Sequence, residues 1–239
     1  MINIIKSKDN NKIKHLTSLK EGKYRHQYQE FIAEGYKSLE MALKNHQVKE
    51  VYSITSLDNI PSDVPQYLIS EDILKKIAFS KNPEGVVFVC DFLKQMPQKL
   101  NKVVYLDHVN DPGNMGTIIR TALAFNYDAV IVSSESCDIY NEKVIAASKG
   151  AIFAIPVFTG ELKDYATNRE VIVSMLDDSA IDIRKIKVPE SFILVVGNEA
   201  HGVSRETIAL ATIKTKIEIH NIDSLNVSIA TGILMDHLR

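Results

Sequence analysis

Three loops of the sequence carry polar residues that could bind a ligand, and each follows an apolar, strand-like run. Residues 107–120 lead into a helix with an arginine in its second turn, and residues 197–204 hold an acidic residue between two glycines. Residues 224–226 open a terminal apolar helix, so short polar side chains stand at the positive end of its dipole. Together the loops offer a cation, a carboxylate and glycines that let the backbone approach a flat ligand closely.

The first loop contains a candidate helix cap, and the second contains a carboxylate that would need a partner if it were buried. Pro112 and Gly113 form a turn in the first loop, and Asn114 is the predicted cap of the following helix. Glu199 would be costly to bury without a partner, so it either faces solvent or meets a cation. The nearest candidate for that partner, by the position of strand ends, is Arg120.

Several familiar kinds of site are excluded by the same residues. Gly197 and Gly202 have the spacing of a nucleotide P-loop, but Val203 stands where that loop needs its lysine, which argues against a nucleoside triphosphatase. No G-x-G-x-x-G follows a strand, which weakens a Rossmann-type dinucleotide site. The seven histidines are scattered without metal-ligand spacing, so no metal site is predicted.

The elements that must position these loops indicate an α/β fold. Continuous β-branched runs such as residues 129–132 and 192–196 alternate with helical stretches, which is typical of a parallel sheet covered on both faces. Ligands of such sheets bind beyond the carboxyl ends of the strands, where the three loops lie. Residues 1–97 form a predicted small α/β domain, and the polar, proline-containing stretch 94–99 separates it from a second domain at 98–239.

Composition predicts a reduced, cytoplasmic protein. The 239 residues are 45% hydrophobic and 24% charged, which suits one large or two small domains with adequate cores. No apolar run approaches the roughly 20 residues of a membrane helix, and the first residues lack the features of a signal peptide. Cys90 and Cys137 lie far apart beside apolar runs and are predicted to be buried thiols.

The net charge of −2 hides a basic amino-terminal end. The first 25 residues carry the cations Lys6, Lys8, Lys12, Lys14, Lys20, Lys23 and Arg25 against the anions Asp9 and Glu21. Such a cluster attracts phosphate backbones at long range, but it is also typical of a solvated helix face. Both interpretations stay open.

The three loops resemble the ordered motifs of the SpoU (TrmH-type) RNA ribose 2′-O-methyltransferases of the SPOUT superfamily. The matching segments are residues 110–116 with Arg120, residues 197–202 and residues 224–230, and residues 149–153 with Pro156 fit the family's middle segment. More loosely, residues 31–35 and the helix after them resemble the small substrate-binding domain ahead of the catalytic domain in many members. Residues 220–223 replace a proline-containing run that is common before the third motif.

This resemblance implies a carboxy-terminal parallel-sheet domain with a deep trefoil knot, preceded by a small α/β RNA substrate-binding domain. It implies an S-adenosylmethionine-dependent enzyme that works on RNA as a homodimer, without metal or membrane. Implied cofactor contacts are Gly197, Ile219 and Leu225, and the implied polar catalytic cluster is Asn114, Arg120, Glu199, Ser224 and Asn226. The basic first domain would dock RNA, with candidate phosphate contacts at Lys12, Lys14, Lys23, Arg25 and Lys37.

Methyl transfer to a ribose hydroxyl requires a positioned oxygen and stabilisation of developing alkoxide charge. Arg120 suits the second task, because a guanidinium is effectively always protonated and the hydroxyl proton would leave to phosphate or water. Glu199 would aim Arg120, while Asn114 and Asn226 would orient ribose and cofactor. The predicted substrate is 23S ribosomal RNA; transfer RNA, methylation of a base and a non-catalytic RNA-binding assembly factor are the alternatives.

Overall fold

The computed structural model describes residues 3–94, 97 and 99–239. The chain divides into two compact units, one made of Met1–Lys94 with Tyr140–Ala154 and the other of Gln95–Ile139 with Ile155–Arg239. Each unit has its own β-sheet flanked by helices, which confirms the predicted α/β class. Residues 95, 96 and 98 of the predicted boundary stretch lie outside the described residues.

The first unit is built on a five-stranded mixed sheet of order β1-β4-β3-β5-β2, in which only β5 runs antiparallel to both neighbours. Apolar residues at helical spacing on α1 and α4, such as Leu16 and Ile73, are buried against this sheet. Its elements are β1 (Asn3–Ile5), α1 (Asn11–Ser18), α2 (Gly22–Tyr28), β2 (Glu30–Glu34), α3 (Tyr36–Lys44), β3 (Glu50–Ser53), β4 (Gln66–Ile69), α4 (Glu71–Ile77) and β5 (Val86–Asp91).

The first unit also takes up residues 140–154, which the sequence assigned to the second domain. The reason is aromatic packing within this unit. The ring of Phe153 stacks on that of Phe31 from β2 with the centroids 6.0 Å apart, and Tyr140 lies 4.7 Å from the same ring. A later segment therefore completes the core of the unit that begins the chain.

An ion-pair network ties α1 to the strands of this sheet. Glu30 accepts hydrogen bonds from His15 Nε2 at 2.6 Å and from the Lys49 ammonium, which also lies 3.2 Å from Asp91 Oδ1. Burial disfavours the charged carboxylate, but the hydrogen bonds from Lys49 and His15 outweigh it, so the pKa of Glu30 lies below its usual value.

Glu30→Gln is expected to flatten the acid side of the stability profile. Because folding lowers this pKa, ionised Glu30 stabilises the fold above its usual value of 4.5, and that stabilisation is lost as the pH falls through the lower folded pKa. Thermal melts across this window should show a steeper loss of Tm for the parent than for Glu30→Gln. Glu40→Gln, at an exposed glutamate of the same unit, should follow the parent; equal slopes for the parent and Glu30→Gln would contradict the prediction.

The second unit is built on a seven-stranded sheet of order β10-β12-β9-β11-β6-β7-β8. All of its described strand pairs are parallel, as the continuous β-branched runs predicted. The elements are β6 (Lys102–Asp107), α5 (Pro112–Ala124), β7 (Ala129–Val132), α6 (Glu142–Ser148, packed in the first unit), β8 (Val157–Thr159), β9 (Glu170–Ser174), β10 (Ile181–Asp182), β11 (Phe192–Gly197), α7 (Arg205–Ile208), β12 (Ile213–Lys216) and α8 (Val227–His237). The trefoil knot implied by the resemblance stays a prediction.

Both cysteines are free thiols. Cys90 is buried and Cys137 is half-buried, and burial raises the pKa of the Cys137 thiol to about 11. Among residues 3–94, 97 and 99–239, no three His, Cys, Asp or Glu side chains are grouped so that they could hold a metal ion. Nor does this part of the chain contain a helix with the length and apolar character to cross a membrane.

Candidate active site

The first two polar loops meet because β6 and β11 are neighbouring parallel strands. Gly197, the last residue of β11, pairs in register with Asp107, the last residue of β6. The loops that follow therefore leave the sheet side by side at its carboxyl edge, where ligands of parallel sheets bind. The backbone N–H of Ser204 donates to the buried Asp107 carboxylate at 2.7 Å, and the Asn198 side chain donates to the His108 carbonyl at 2.9 Å. These bonds fix one loop against the other.

A chain of hydrogen bonds joins one side chain from each of the three loops. Asn114 Nδ2 donates to Glu199 Oε1 at 3.0 Å, and Asn226 Nδ2 donates to Asn114 Oδ1 at 3.0 Å. We call Glu199, Asn114 and Asn226 the amide relay. It brings together three of the five predicted catalytic residues, which lie up to 112 positions apart in the sequence.

Both asparagines are oriented by the start of a helix. The predicted cap at Asn114 is wrong, because Asp111 caps α5 and accepts from the Asn114 backbone N–H at 2.7 Å. Pro112 stands at the first helical position, which proline prefers, so the cap is the residue directly before it, Asp111. The Asn114 amide is thus available to Glu199. Asn226 is itself the cap of α8, where its Oδ1 accepts from the N–H of Ser228 at 3.0 Å.

The predicted Arg120–Glu199 pair is wrong. Arg120 is exposed and has no hydrogen bond or ion pair with the residues that the structure describes, whereas Glu199 is bonded to Asn114. Arg120 follows Asn114 by six positions on α5. Six residues turn a helix by about 600°, which is about 120° short of two full turns, and advance it about 9 Å, so the two side chains leave on different faces.

A cavity of about 510 Å³ lies beside the relay. Its lining includes the three predicted cofactor residues Gly197, Ile219 and Leu225, and also Glu199 and Ser224 from the predicted catalytic set. Asn114, Arg120 and Asn226 are not among its lining residues. The sequence reasoning missed Ser174, Met175, Leu176, Lys216, Ile217 and Asp223. The first three come directly after or at the end of β9, so the strand-end rule could have found them.

Gly197 is required by the loop's own backbone as well as by its place at the cavity. The N–H groups of Asn198 and Gly202 donate to each other's carbonyl oxygens, both at 2.9 Å, and fold the loop back over Gly197. A Cβ on Gly197 would lie 2.4 Å from the carbonyl carbon and oxygen of Gly202 and from the nitrogen of Val203. Only glycine fits between these backbone atoms.

The candidate phosphate contacts of the first unit fall into three groups. Lys14, Lys23 and Lys37 are exposed. The Lys12 ammonium is paired with Glu50 and lies 4.8 Å from the centre of the Tyr67 ring. Arg25 is only 4% exposed and donates to the carbonyl oxygens of Leu19 and Lys20. Its guanidinium therefore supports the end of α1 and is not placed to contact phosphate, so the prediction of Arg25 as a phosphate contact is wrong.

Comparison with known proteins adds family evidence to this geometry. Residues 101–236 match the SpoU rRNA Methylase family, and residues 10–87 match the MRM3-like substrate binding domain. The chain is 32% identical to the 23S rRNA (guanosine(2553)-2'-O)-methyltransferase RlmP of Bacillus subtilis (strain 168) across 98% of each protein.

Solved structures give the same result. The AdoMet-bound rRNA methyltransferase from Sinorhizobium meliloti is 28% identical with a TM-score of 0.90, over 100% of this chain and 97% of that one. A putative RNA methyltransferase of the TrmH family from Porphyromonas gingivalis is 30% identical with a TM-score of 0.88, over 97% of this chain and 98% of that one. By sequence along its whole length, and by fold, this chain belongs to the SpoU rRNA methylase family.

Proposed function

We propose that this protein is an S-adenosylmethionine-dependent RNA 2′-O-methyltransferase whose substrate is 23S ribosomal RNA. The observation that carries the proposal is the amide relay beside the cavity. A non-catalytic RNA-binding factor has no need for three polar side chains from three loops to be hydrogen-bonded at the edge of a ligand-sized cavity. The Bacillus subtilis relative supports 23S ribosomal RNA as the substrate. An enzyme that methylates ribosomal RNA would act in the cytoplasm.

The cavity suits S-adenosylmethionine in size and in chemistry. Small-molecule sites span about 300–1,000 Å³ with mostly apolar walls and few polar groups, and this cavity is of about 510 Å³. Val196, Met175 and Leu225 offer apolar surface for a flat ring, and Asp223 and Ser224 offer polar groups. Gly197, Ile219 and Leu225 would hold the cofactor, which supplies an electrophilic methyl group on a sulfonium.

Each predicted catalytic side chain has a proposed task, and three of these side chains belong to the relay. Glu199 fixes the amide of Asn114 through its hydrogen bond, in place of the predicted task of aiming Arg120. Asn114 and Asn226 hold each other's orientation and position the ribose, with Ser224 at the cavity wall. Arg120 lies outside the relay and the cavity lining, and as an exposed, permanent cation it keeps the predicted task of stabilising the developing alkoxide, with the proton leaving to phosphate or water.

Variants of Asn226 distinguish its role in the relay from its role as the cap of α8. Asn226→Asp keeps the oxygen that caps α8 but loses the amide that donates to Asn114, so its Tm should stay close to that of the parent. Asn226→Ala loses both, and removal of a cap costs about 1 kcal/mol, or roughly 2–4 °C in a chain of this size. Both variants should lose at least about tenfold in methyl transfer, because misplaced reacting groups are slow to react. An active Asn226→Asp would show that the cap is all that matters.

We also assign a homodimer to this enzyme, supported by an exposed apolar face on α8. Ile229 is 56% exposed and Ile233 is 42% exposed, and they lie one turn apart on a face turned away from the buried Leu234 by about 100–140°. A second copy that covers this face would remove both from water.

Ile229→Glu is therefore expected to give a monomer with reduced methyl transfer, measured by light scattering and turnover. Ile4→Glu, at a 65% exposed isoleucine of the first unit, is the matched control and should leave the mass unchanged. A dimeric Ile229→Glu would remove α8 from the proposed interface.

Two experiments test the function itself. Calorimetry should detect binding of S-adenosylmethionine to the purified chain, and failure to bind would favour a non-catalytic assembly factor. Mapping of 2′-O-methyl groups in total RNA from cells with and without the gene should show a loss at one position of 23S ribosomal RNA. A loss confined to transfer RNA would change the substrate, and a methylated base in digested nucleosides would change the reaction.

RNA docking on the first unit predicts salt-dependent affinity. Each phosphate contact on single-stranded RNA contributes about 0.7 to the slope of log affinity against log salt. Replacing the exposed Lys14, Lys23 and Lys37 together should lower that slope by about 2. An unchanged slope would remove these lysines from the proposed surface.

A further inference from the structure

Three aromatic rings form a cluster at the surface of the first unit. Tyr24 and Tyr28 lie four residues apart on α2, and their rings are nearly parallel at 14° with centroids 6.3 Å apart. His15 of α1 meets the Tyr28 ring edge-on, with centroids 4.7 Å apart and planes at 71°. We call these residues the tyrosine cluster. Tyr28 is its outermost ring and is 43% exposed, so core packing does not account for it.

One lysine contacts the tyrosine cluster, and a second stands next to one of its residues in the sequence. The Lys23 ammonium lies 5.6 Å from the centre of the Tyr24 ring, and the exposed Lys14 is the neighbour of His15 on α1. His15 also lines a cavity of about 270 Å³ together with Lys12 and Lys49. The carboxylates in that cavity, Glu30 and Glu50, are already paired with these two lysines and do not cancel the charge of Lys14 or Lys23.

A half-exposed ring near ammonium groups that form no ion pair with the residues the structure describes matches the chemistry of unpaired RNA. An unstacked base offers an apolar face to an aromatic ring, and the phosphates on either side of it need cations. A fully paired duplex offers phosphates but keeps its bases inside the helix, so it could use the lysines and not the ring.

We propose that the tyrosine cluster is a stacking platform for an unpaired nucleobase of the RNA substrate, with Tyr28 in direct contact with the base and Lys14 and Lys23 on the flanking phosphates. This rests on the proposed function, because it assumes that the first unit docks RNA. It adds a recognition element: the RNA must present an unpaired base to the first unit, in addition to the nucleotide that is methylated.

The test compares three variants of the full-length chain by equilibrium binding to a single-stranded RNA 20-mer and to a fully paired duplex of the same length. Tyr28→Ala should bind the single strand about tenfold more weakly, in the range measured for loss of one base–aromatic stack. Tyr28→Phe keeps the ring and should bind within about twofold of the parent. Tyr36→Ala, at a 42% exposed tyrosine on α3 of the same unit, is the matched control and should bind like the parent.

Two further readouts separate stacking from other roles. The salt slope of Tyr28→Ala should equal that of the parent, because a stacked ring releases no counterions, whereas Lys14→Ala with Lys23→Ala should lower the slope. Affinity for the duplex should not change in Tyr28→Ala. Thermal melting checks the fold, and a variant with parent-like Tm and weaker single-strand binding supports the platform.

The contrary outcomes are distinct. If Tyr28→Ala binds the single strand as well as Tyr36→Ala does, the stacking proposal is wrong. Equal losses in Tyr28→Phe and Tyr28→Ala would point to the hydroxyl and also overturn it. If the lysine variants change the salt slope but Tyr28→Ala has no effect, RNA docking stands without the platform. If no variant of the first unit changes RNA binding, the proposal that this unit docks RNA is wrong. The exposed Tyr28 ring would then be a candidate contact with another protein.

Discussion

Gly197→Ala should abolish binding of S-adenosylmethionine and lower the Tm. The added Cβ would lie 2.4 Å from three backbone atoms of Gly202 and Val203, and backbone cannot move aside as the end of a flexible side chain can. Relief requires the loop to open, and the loop forms one wall of the cavity. Opening the loop removes that wall, so calorimetry should detect no binding at cofactor concentrations that saturate the parent.

Gly232→Ala is the matched control in the same unit. A Cβ there has Thr121 Cγ2 as its nearest neighbour at 3.9 Å, which is ordinary contact, and Gly232 lies inside α8. Alanine favours the helix interior by about 0.5–1 kcal/mol, so this variant should bind cofactor normally and melt slightly higher. A Gly197→Ala protein with parent-like cofactor affinity would mean that the loop relaxes freely and that its closure does not shape the site.

The fold and the meeting of the loops could be predicted because both follow from local pattern. Continuous β-branched runs such as residues 192–196 indicated buried parallel strands, and parallel strands bring their carboxyl ends to one edge. The pairing of Gly197 with Asp107 is one case of that rule. The order of the strands could not be predicted, because periodicity identifies a strand without naming its neighbours.

The predictions that the structure contradicts failed because the sequence pattern does not give the direction or the burial of a side chain. Arg120 was paired with Glu199 because both follow strand ends, but the direction of a side chain around α5 decides what it reaches, and Asn114 reaches Glu199 instead. Arg25 was counted with the surface cations because composition gives charge without burial, whereas its guanidinium holds carbonyls inside the first unit. The packing of Phe153 on Phe31 is a long-range contact that no local window covers.

Arg120→Ala should reduce the rate of methyl transfer by about a hundredfold to a thousandfold, which is the usual effect of removing one group that stabilises developing negative charge. Cofactor affinity should not change, because Arg120 does not line the cavity. Arg120→Lys keeps a positive charge but loses the planar fork of donors, so it should recover only part of the rate. The measurement is single-turnover transfer with saturating cofactor. Arg205→Ala, at an exposed arginine that opens α7 in the same unit, should turn over like the parent.

The dependence of these rates on pH distinguishes a stabilising cation from a general base. A guanidinium stays protonated throughout the working range, so a stabilising Arg120 contributes the same factor at every pH. The profiles of Arg120→Ala and Arg120→Lys should therefore be lowered by a constant factor and keep the shape of the parent profile. If Arg120 removed the ribose proton itself, Arg120→Lys would instead shift the basic limb, because a lysine loses its proton at lower pH than arginine does. A shifted limb, or near-parental turnover of Arg120→Ala with cofactor bound, would contradict the assignment.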